Sequence, residues 1–360
     1  MTARRFFVGG FACAFGMWSM STSRMPACAP TAPPGQLVVN ADQTILIVWD
    51  AATKTEHFIR KASFKSDAKD FGFLVPTPSR PDLEESGNAV FPFLQKLTEP
   101  EVRRIPRPTS GGCFCDSASS SKSASGVAGA ASVTVLDEKE VAGFKAAVLE
   151  TESASALLDW LKEHGYAFSP EVKAWLKPYV DAGWKITALK IAKGLEAKDK
   201  NAVSATALRM TFKTDRPIFP YREPDPARAA SALNAPQRFL RIYFIGDARY
   251  LGEFKDSSWT GKVAWAKPLK PTDRQKVAEL LKLRDGSMPS DVWLTEFEHD
   301  WPYQVAAADL YFAHDPDQST VERPPICIYA YSPWPTDISV YAIAVALVLP
   351  VVSRRFRRAA

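Results

Sequence analysis

The sequence predicts an α+β fold: mixed, largely antiparallel sheets with a few short amphipathic helices, set between an N-terminal signal peptide and a C-terminal transmembrane helix. Three observations carry this. Apolar runs and period-two alternation recur in short stretches bounded by proline, glycine and aspartate, as strands require. Only a few stretches show helical spacing behind a capping residue, and they do not alternate regularly with the strands as a βαβ series would. Both ends of the chain are apolar segments flanked by arginines without acidic neighbours.

At the N-terminus, Arg4 and Arg5 precede an apolar run from Phe6 to Met20, with small and polar residues after it. This is the layout of a secretory signal peptide, expected to cover residues 1–27 and to leave Cys28 at the start of the mature chain, with lipidation of Cys28 as the less favoured alternative. At the C-terminus, Ile338 to Val352 is uncharged and almost wholly apolar, and Arg354, Arg355, Arg357 and Arg358 follow. That pattern predicts a membrane anchor over 338–352 with a basic cytoplasmic tail over 353–360, and Trp334 and Tyr341 near the headgroups.

Between the ends, residues 28–108 read as β-rich. Ile45 to Trp49 form an apolar strand closed by turn residues Asp50 to Thr53. His57, Ile59, Lys61 and Ser63 alternate with Phe58, Arg60, Ala62 and Phe64, predicting a half-buried strand. "FGFLVPTP" is a further strand stopped by prolines, and a short helix is expected over Ala89 to Leu97. Residues 109–132 are a Ser/Ala/Gly-rich insertion, too poor in apolar surface to offset chain entropy.

Residues 133–337 mix both element types. Ser153 caps a helix carrying Leu157, Leu158, Trp160 and Leu161, ended by Gly165. Ser169 and Pro170 start another, with Val172, Trp175, Leu176, Tyr179 and Val180 on one face and Pro178 expected to kink or shorten its last turn. "WKITALKI", "ATALRMTFKT" and "RFLRIYFIG" read as strands. Thr272 and Gln275 predict a capping box for a helix with Val277, Leu280 and Leu281 inward, ending near Gly286. "DVWLTEFEH" is expected as the last strand and "PDQSTVERPPICIYAYSPWP" as a proline-rich stalk.

The formal net charge of +5 belongs to the ends. Seven of the 45 basic residues lie in the leader and tail, which leaves 38 against 40 acidic groups in residues 28–337, a net charge of −2. No basic surface for nucleic acid is indicated.

Of the five cysteines, Cys13 leaves with the leader; Cys28, Cys113, Cys115 and Cys327 remain. In an oxidising compartment four cysteines point to disulfides, with three possible connectivities. A Cys113/Cys115 redox pair ranks second and a zinc site third. The four histidines, His57, His164, His299 and His314, show no metal-binding spacing, and there is no nucleophile elbow or phosphate-cradling loop. His57, on an alternating strand among polar neighbours, is expected to be solvent-exposed, and His164 to contact a helix C-terminus. "HDPDQSTVE" offers Asp315, Asp317, Ser319 and Glu322 as oxygen ligands but lacks the glycine and distal glutamate of a calcium loop. Trp259, Trp265, Trp293, Trp301 and Tyr303 read as core before sugar-stacking platforms. No catalytic residue, cofactor or metal ligand is assigned.

The segments "VVNADQTILIVWDAATKTEHFIRKASFKSDAKDFGFLVPTPSRPDL", "VLETESASALLDWLKEHGY", "YVDAGWKITALKIAKG" and "LRMTFKTDRPIFPYREP" resemble the DUF2330 family, exported bacterial domains. The resemblance implies a leader, a cysteine at the mature start, a variable middle loop and, in many members, a C-terminal membrane segment. It also implies a strand over Val141 to Glu150, and it supplies no catalytic residues. The expectation is a membrane-anchored extracytoplasmic protein acting as a binding or structural module, with an envelope protein or glycan as partner. The alternative is an enzyme: a thiol–disulfide oxidoreductase using Cys113 and Cys115, or a hydrolase.

Overall fold

The computed structural model describes residues 29–31, 38–40, 43–61, 63–66, 72–106, 133–166, 171–191, 202–204, 206–222, 224, 237–284, 287–302 and 308–330. The first strands are β1 (Ala29–Thr31), β2 (Val38–Asn40), β3 (Gln43–Asp50) and β4 (Thr55–Arg60). Next come β5 (Ser63–Ser66), β6 (Gly72–Thr77), β7 (Asp82–Glu85), α1 (Val90–Thr98) and β8 (Val102–Pro106). The middle holds β9 (Val133–Val141), β10 (Phe144–Thr151), α2 (Ala154–Glu163), α3 (Glu171–Asp181), β11 (Lys185–Ile191) and β12 (Ala202–Ser204). Then follow β13 (Leu208–Lys213), β14 (Ile218–Phe219), β15 (Gln237–Gly246), β16 (Tyr250–Glu253) and β17 (Lys262–Pro268). Helix α4 (Pro271–Leu280) precedes β18 (Trp293–Pro302), β19 (Leu310–His314) and β20 (Ile326–Ala330).

Two large sheets dominate. One runs β17-β18-β15-β3-β4-β13-β7, the other β1-β6-β11-β10-β9. All pairs in them are antiparallel except β3 with β15, where Ile45 stands opposite Ile242. The expected α+β class with largely antiparallel sheets is therefore what forms. The sheets enclose a core of Ile45, Ile47, Phe58 and Phe244 from the first with Phe73, Phe144, Val148 and Leu189 from the second. The small sheet β14-β19-β16 adds Phe219, Phe312 and Tyr250 to it.

Helices cover the outer faces. Helices α1 and α4 lie on the seven-stranded sheet through Leu94, Val277 and Leu281. Helices α2 and α3 cover the five-stranded one through Leu157, Leu161, Trp175 and Leu176. With both faces of the larger sheet buried, its central strand reads as a continuous apolar run, which is what Ile45 to Trp49 provide. The same burial corrects the reading of β4. Glu56 to Arg60 are all buried, and His57 is 8% exposed where solvent exposure was expected.

Several local expectations hold. Ser153 accepts from the backbone N–H groups of Ser155 and Ala156 at the start of α2. The end of that helix is a Schellman motif: Tyr166 N–H donates to Leu161 O, Gly165 N–H to Lys162 O, and Gly165 has φ +74°. The strand implied over Val141 to Glu150 is β10, entered through a two-residue turn in which Ala142 (φ +52°) and Gly143 (φ +83°) are both left-handed.

Others are corrected. Pro271 occupies the first helical position of α4, so Lys270 becomes the N-cap without a side-chain bond, and the Thr272/Gln275 capping box does not form. The helix ends at Leu280, before Gly286. Helix α3 continues three residues past Pro178 to Asp181. Strand β18 is followed by β19 and β20, and residues 315–330 are folded back on the domain. Arg249 pairs with Asp315 and Asp317 (both 3.0 Å), and Ala266 and Val321 exchange backbone bonds of 2.8 Å. Arg323 binds Glu296 (2.8 Å), Glu298 (2.9 Å) and the carbonyl of Thr98 (2.9 Å), after which β20 pairs in parallel with β8.

The leader, the 109–132 insertion, the Ser169/Pro170 helix start and the 338–352 segment lie outside the described residues. Among the described residues, no helix is long and apolar enough to cross a membrane.

Candidate functional site

A cleft of about 320 Å³ opens on the outer side of the five-stranded sheet, beside the C-terminal end of α2. That volume is at the lower end of the roughly 300–1,000 Å³ usual for small-molecule sites. Its residues come from four pieces of local structure. Strand β9 supplies Glu138, Lys139 and Glu140; β10 supplies Lys145, Ala146 and Ala147; β11 supplies Lys190; the end of α2 supplies Trp160, His164 and Tyr166. Strand register brings the first three groups together, since Glu140 stands opposite Lys145, Glu138 opposite Ala147, and Lys145 opposite Lys190.

The helix end builds an aromatic wall. Trp160 and His164 are four residues apart, on one helix face. Their rings stack with centroids 3.7 Å apart and planes 15° from parallel. The His164 ring is also held by its Nδ1, which donates to the Trp160 carbonyl at 2.7 Å. A carbonyl oxygen can only accept, so this bond places a hydrogen on Nδ1. Tyr166, the residue after the left-handed Gly165, turns back toward Trp160 at 6.4 Å between centroids. Burial, reinforced by the Glu138 carboxylate, pushes the Tyr166 phenol up to about 12, so it stays a neutral hydroxyl.

Most charges around the cleft are compensated. Lys190 Nζ donates to Gly165 O at 2.9 Å and stands 5.9 Å from the Tyr166 ring centre. Lys145 pairs with Glu140 at 3.5 Å, and Lys139 with Asp82 (3.5 Å) and Asp137 (3.9 Å). Glu138 is exposed and has no ion-pair partner among the described residues.

The residues singled out from sequence fall elsewhere. Cys28, Cys113 and Cys115 lie outside the described residues, and Cys327 is an exposed thiol on β20. Asp315 and Asp317 of the calcium-like loop hold the Arg249 guanidinium between them, and Ser319 accepts from it through its carbonyl at 2.8 Å. Arg249 thus takes the place a cation would need.

His57 Nδ1 bonds Thr211 Oγ1 at 2.9 Å inside the larger sheet, and His299 Nε2 bonds Thr260 Oγ1 at 2.9 Å. His314 faces Asp247 at 3.4 Å, with the Tyr250 hydroxyl donating to the same carboxylate at 2.8 Å. Trp259 is core, its ring packed against Gly252 and Gly261, whereas Trp265 and Trp293 are only partly buried. Trp301 and Tyr303 have no described side chains. Among the described residues, no group of three His, Cys, Asp or Glu side chains is placed to hold a metal ion.

Sequence reasoning placed Trp160 on the α2 helix and His164 at its end, but did not see Glu138, Tyr166 and Lys190 as their neighbours. The local signal was an aromatic pair at i, i+4 with a third aromatic just past the helix-stopping glycine. The facing strands are joined only by pairing across the sheet. Neither the curated proteins nor the solved structures contain a match to the chain. A family model does match, over residues 23–311, and its description is "Uncharacterized protein conserved in bacteria (DUF2330)". The chain belongs to the DUF2330 family.

Proposed function

We propose that this is an exported, membrane-anchored bacterial envelope protein whose domain binds a small ligand in the cleft beside the end of α2, without catalysing its conversion. The observation that carries the binding role is the cleft itself: a preformed space with a stacked Trp160/His164 wall and polar groups converging on it. The arginine-flanked apolar ends support export and anchoring, with the 353–360 tail in the cytoplasm and the domain on the extracytoplasmic side. In that compartment Cys28, Cys113, Cys115 and Cys327 serve as structural disulfides.

Two measurements test this reading. Alkaline phosphatase fused after Ala360 is expected to be inactive, because the tail stays inside; an active fusion overturns the topology. Thermal unfolding of the full chain, with small-molecule fractions from envelope extracts, is expected to show a raised midpoint with at least one fraction. Trp160→Ala removes the wall and is expected to abolish that rise while leaving the ligand-free protein folded. A rise that survives Trp160→Ala, or no rise with any fraction, removes the cleft as the binding site.

A further inference from the structure

We propose that the cleft ligand carries a cationic alkylammonium group, seated between the aromatic wall and Glu138. This rests on the reading of the cleft as a binding site and goes beyond it by fixing the charge of what binds.

Three independent features at the cleft favour positive charge. The first is the helix terminus. The cleft lies at the C-terminal end of α2, where backbone carbonyls point outward and the helix dipole is negative. The second is the wall, since aromatic ring faces attract cations through their quadrupole. The third is charge balance. Each lysine lining the cleft is engaged: Lys190 by Gly165 O, Lys145 by Glu140, Lys139 by Asp82 and Asp137. Glu138 is the lining carboxylate left without an ion-pair partner among the described residues, and Lys190, held by a carbonyl alone, is the lining lysine without one.

The protein already places one cation in this environment. The Lys190 ammonium stands over the Tyr166 ring and bonds the carbonyl of the residue that ends the helix turn. A phosphate or carboxylate ligand would meet the opposite field. It would face the carbonyl end of a helix and the Glu138 and Glu140 carboxylates, with Lys190 as its main attraction.

Lys190 gives the test a sign that depends on the ligand's charge. Against a cationic ligand it is a repulsive neighbour; against an anionic one it is the main attraction. Isothermal titration of the full chain would use hexylammonium, with hexanol and hexanoate as neutral and anionic isosteres. Hexylammonium is expected to bind about tenfold more tightly than hexanol, with hexanoate weaker than both. Glu138→Gln, an exposed and near-isosteric change, is expected to weaken hexylammonium severalfold, and Lys190→Met to strengthen it severalfold.

Hexanoate or hexanol binding as well as hexylammonium, or Lys190→Met weakening the amine, overturns the proposal. So does failure of all three probes. In each of these cases a midpoint rise with envelope extract that depends on Trp160 leaves the cleft a binding site for a ligand of another class. Failure of the extracts as well takes both readings down. Nα-acetyl-lysine methylamide binding like hexylammonium places the ammonium on a peptide side chain; binding of hexylammonium alone places it on a free amine.

Discussion

Glu56 and His57 are adjacent on β4 and enter opposite layers of the molecule with opposite acid–base consequences. Glu56 is fully buried, and its Oε2 accepts from the backbone N–H of Ile218 at 2.8 Å, which ties β14 to the central sheet. Among the described residues its Oε1 has no hydrogen-bond partner. Burial raises its pKa well above 4.5 against the opposing effect of the Ile218 bond. The folded state therefore holds this proton more tightly than the unfolded chain. The stability it contributes is present below the unfolded pKa and is lost as pH rises through the folded one. His57 works the other way. Burial, with the Arg209 charge as a second cause, lowers it from 6.5 to about 4, so its contribution is present above pH 6.5 and is lost as pH falls toward 4. Denaturant titrations at several pH values are expected to show Glu56→Gln gaining on the wild type as pH rises, because the amide oxygen keeps the Ile218 bond without a titration. His57→Gln is expected to flatten the acid limb between pH 6.5 and 4 by on the order of 3 kcal/mol or less. Parallel pH profiles for variant and wild type would contradict either assignment. Glu56→Leu differs again, since it orphans the Ile218 N–H and is expected to cost about 1–3 kcal/mol at low pH, a cost that shrinks as pH rises.

At the level of elements, the segment after β19 is the part of the fold that local sequence described least well. Its prolines and acidic residues read as a stalk with a calcium-like loop, yet two arginines, Arg249 buried and Arg323 partly buried, bind it to the domain. Arg249, 8% exposed, takes Asp315 and Asp317, while its backbone N–H and C=O are both bonded by the Gln318 side chain at 2.9 and 3.0 Å. Arg323 reaches the buried pair Glu296 and Glu298, where Arg241 also binds. Both contacts join residues far apart in sequence, so no window of local pattern contains them. Arg249→Ala is expected to leave the 12%-exposed Asp315 side chain without its countercharge and to cost about 3–5 kcal/mol in chemical denaturation. A cost below about 1 kcal/mol would mean that the loop is not held in this way. Millimolar calcium is expected to leave the midpoint of the wild type unchanged, since a guanidinium already fills the carboxylate pair; a clear rise would reinstate the metal reading. The same distinction explains what else was legible. The β3 run and the Ser153 cap of α2 are settled by neighbours within a few residues, and both were read correctly. The burial of His57 depends on β13 and on helices that cover the far face of the sheet, which alternation within β4 does not reveal. The α4 start was misread because Pro271 takes the first helical position and shifts the cap to Lys270.

For the whole molecule, the parallel pairing of β8 with β20 decides which parts of the chain leave together. Pro106 at the end of β8 stands opposite Ala330 at the end of β20, so the 109–132 insertion and the C-terminal segment depart from the same end of one ribbon. Val102, Ile326 and Ile328 are exposed on it, and Cys327, opposite Arg103, is exposed between the two isoleucines. Cys113 follows Pro106 by seven residues, a length of chain that reaches about 25 Å when extended. Cys327 lies three residues back from the paired end, about 10 Å at the rise of a strand. A bridge from Cys327 to Cys113 or Cys115 is therefore sterically open, and it would close the root of the insertion onto the segment that leads to the proposed anchor. Of the three connectivities available to four cysteines, two place Cys327 with one of this pair, leaving Cys28 to bond the other. Peptide mapping of exported protein, alkylated without reduction, is expected to recover Cys327 covalently joined to the Cys113–Cys115 peptide. Recovery of Cys327 as an alkylated free thiol, or joined to Cys28, would exclude that arrangement. A readily reduced Cys113–Cys115 ring beside a free Cys327 would favour the oxidoreductase alternative instead. Loss of the bridge through Cys327→Ser is expected to leave the two-sheet core intact, because none of the described side chains of β8 and β20 belongs to that core. Its effect should appear as faster proteolysis within residues 107–132, with little change in the unfolding midpoint.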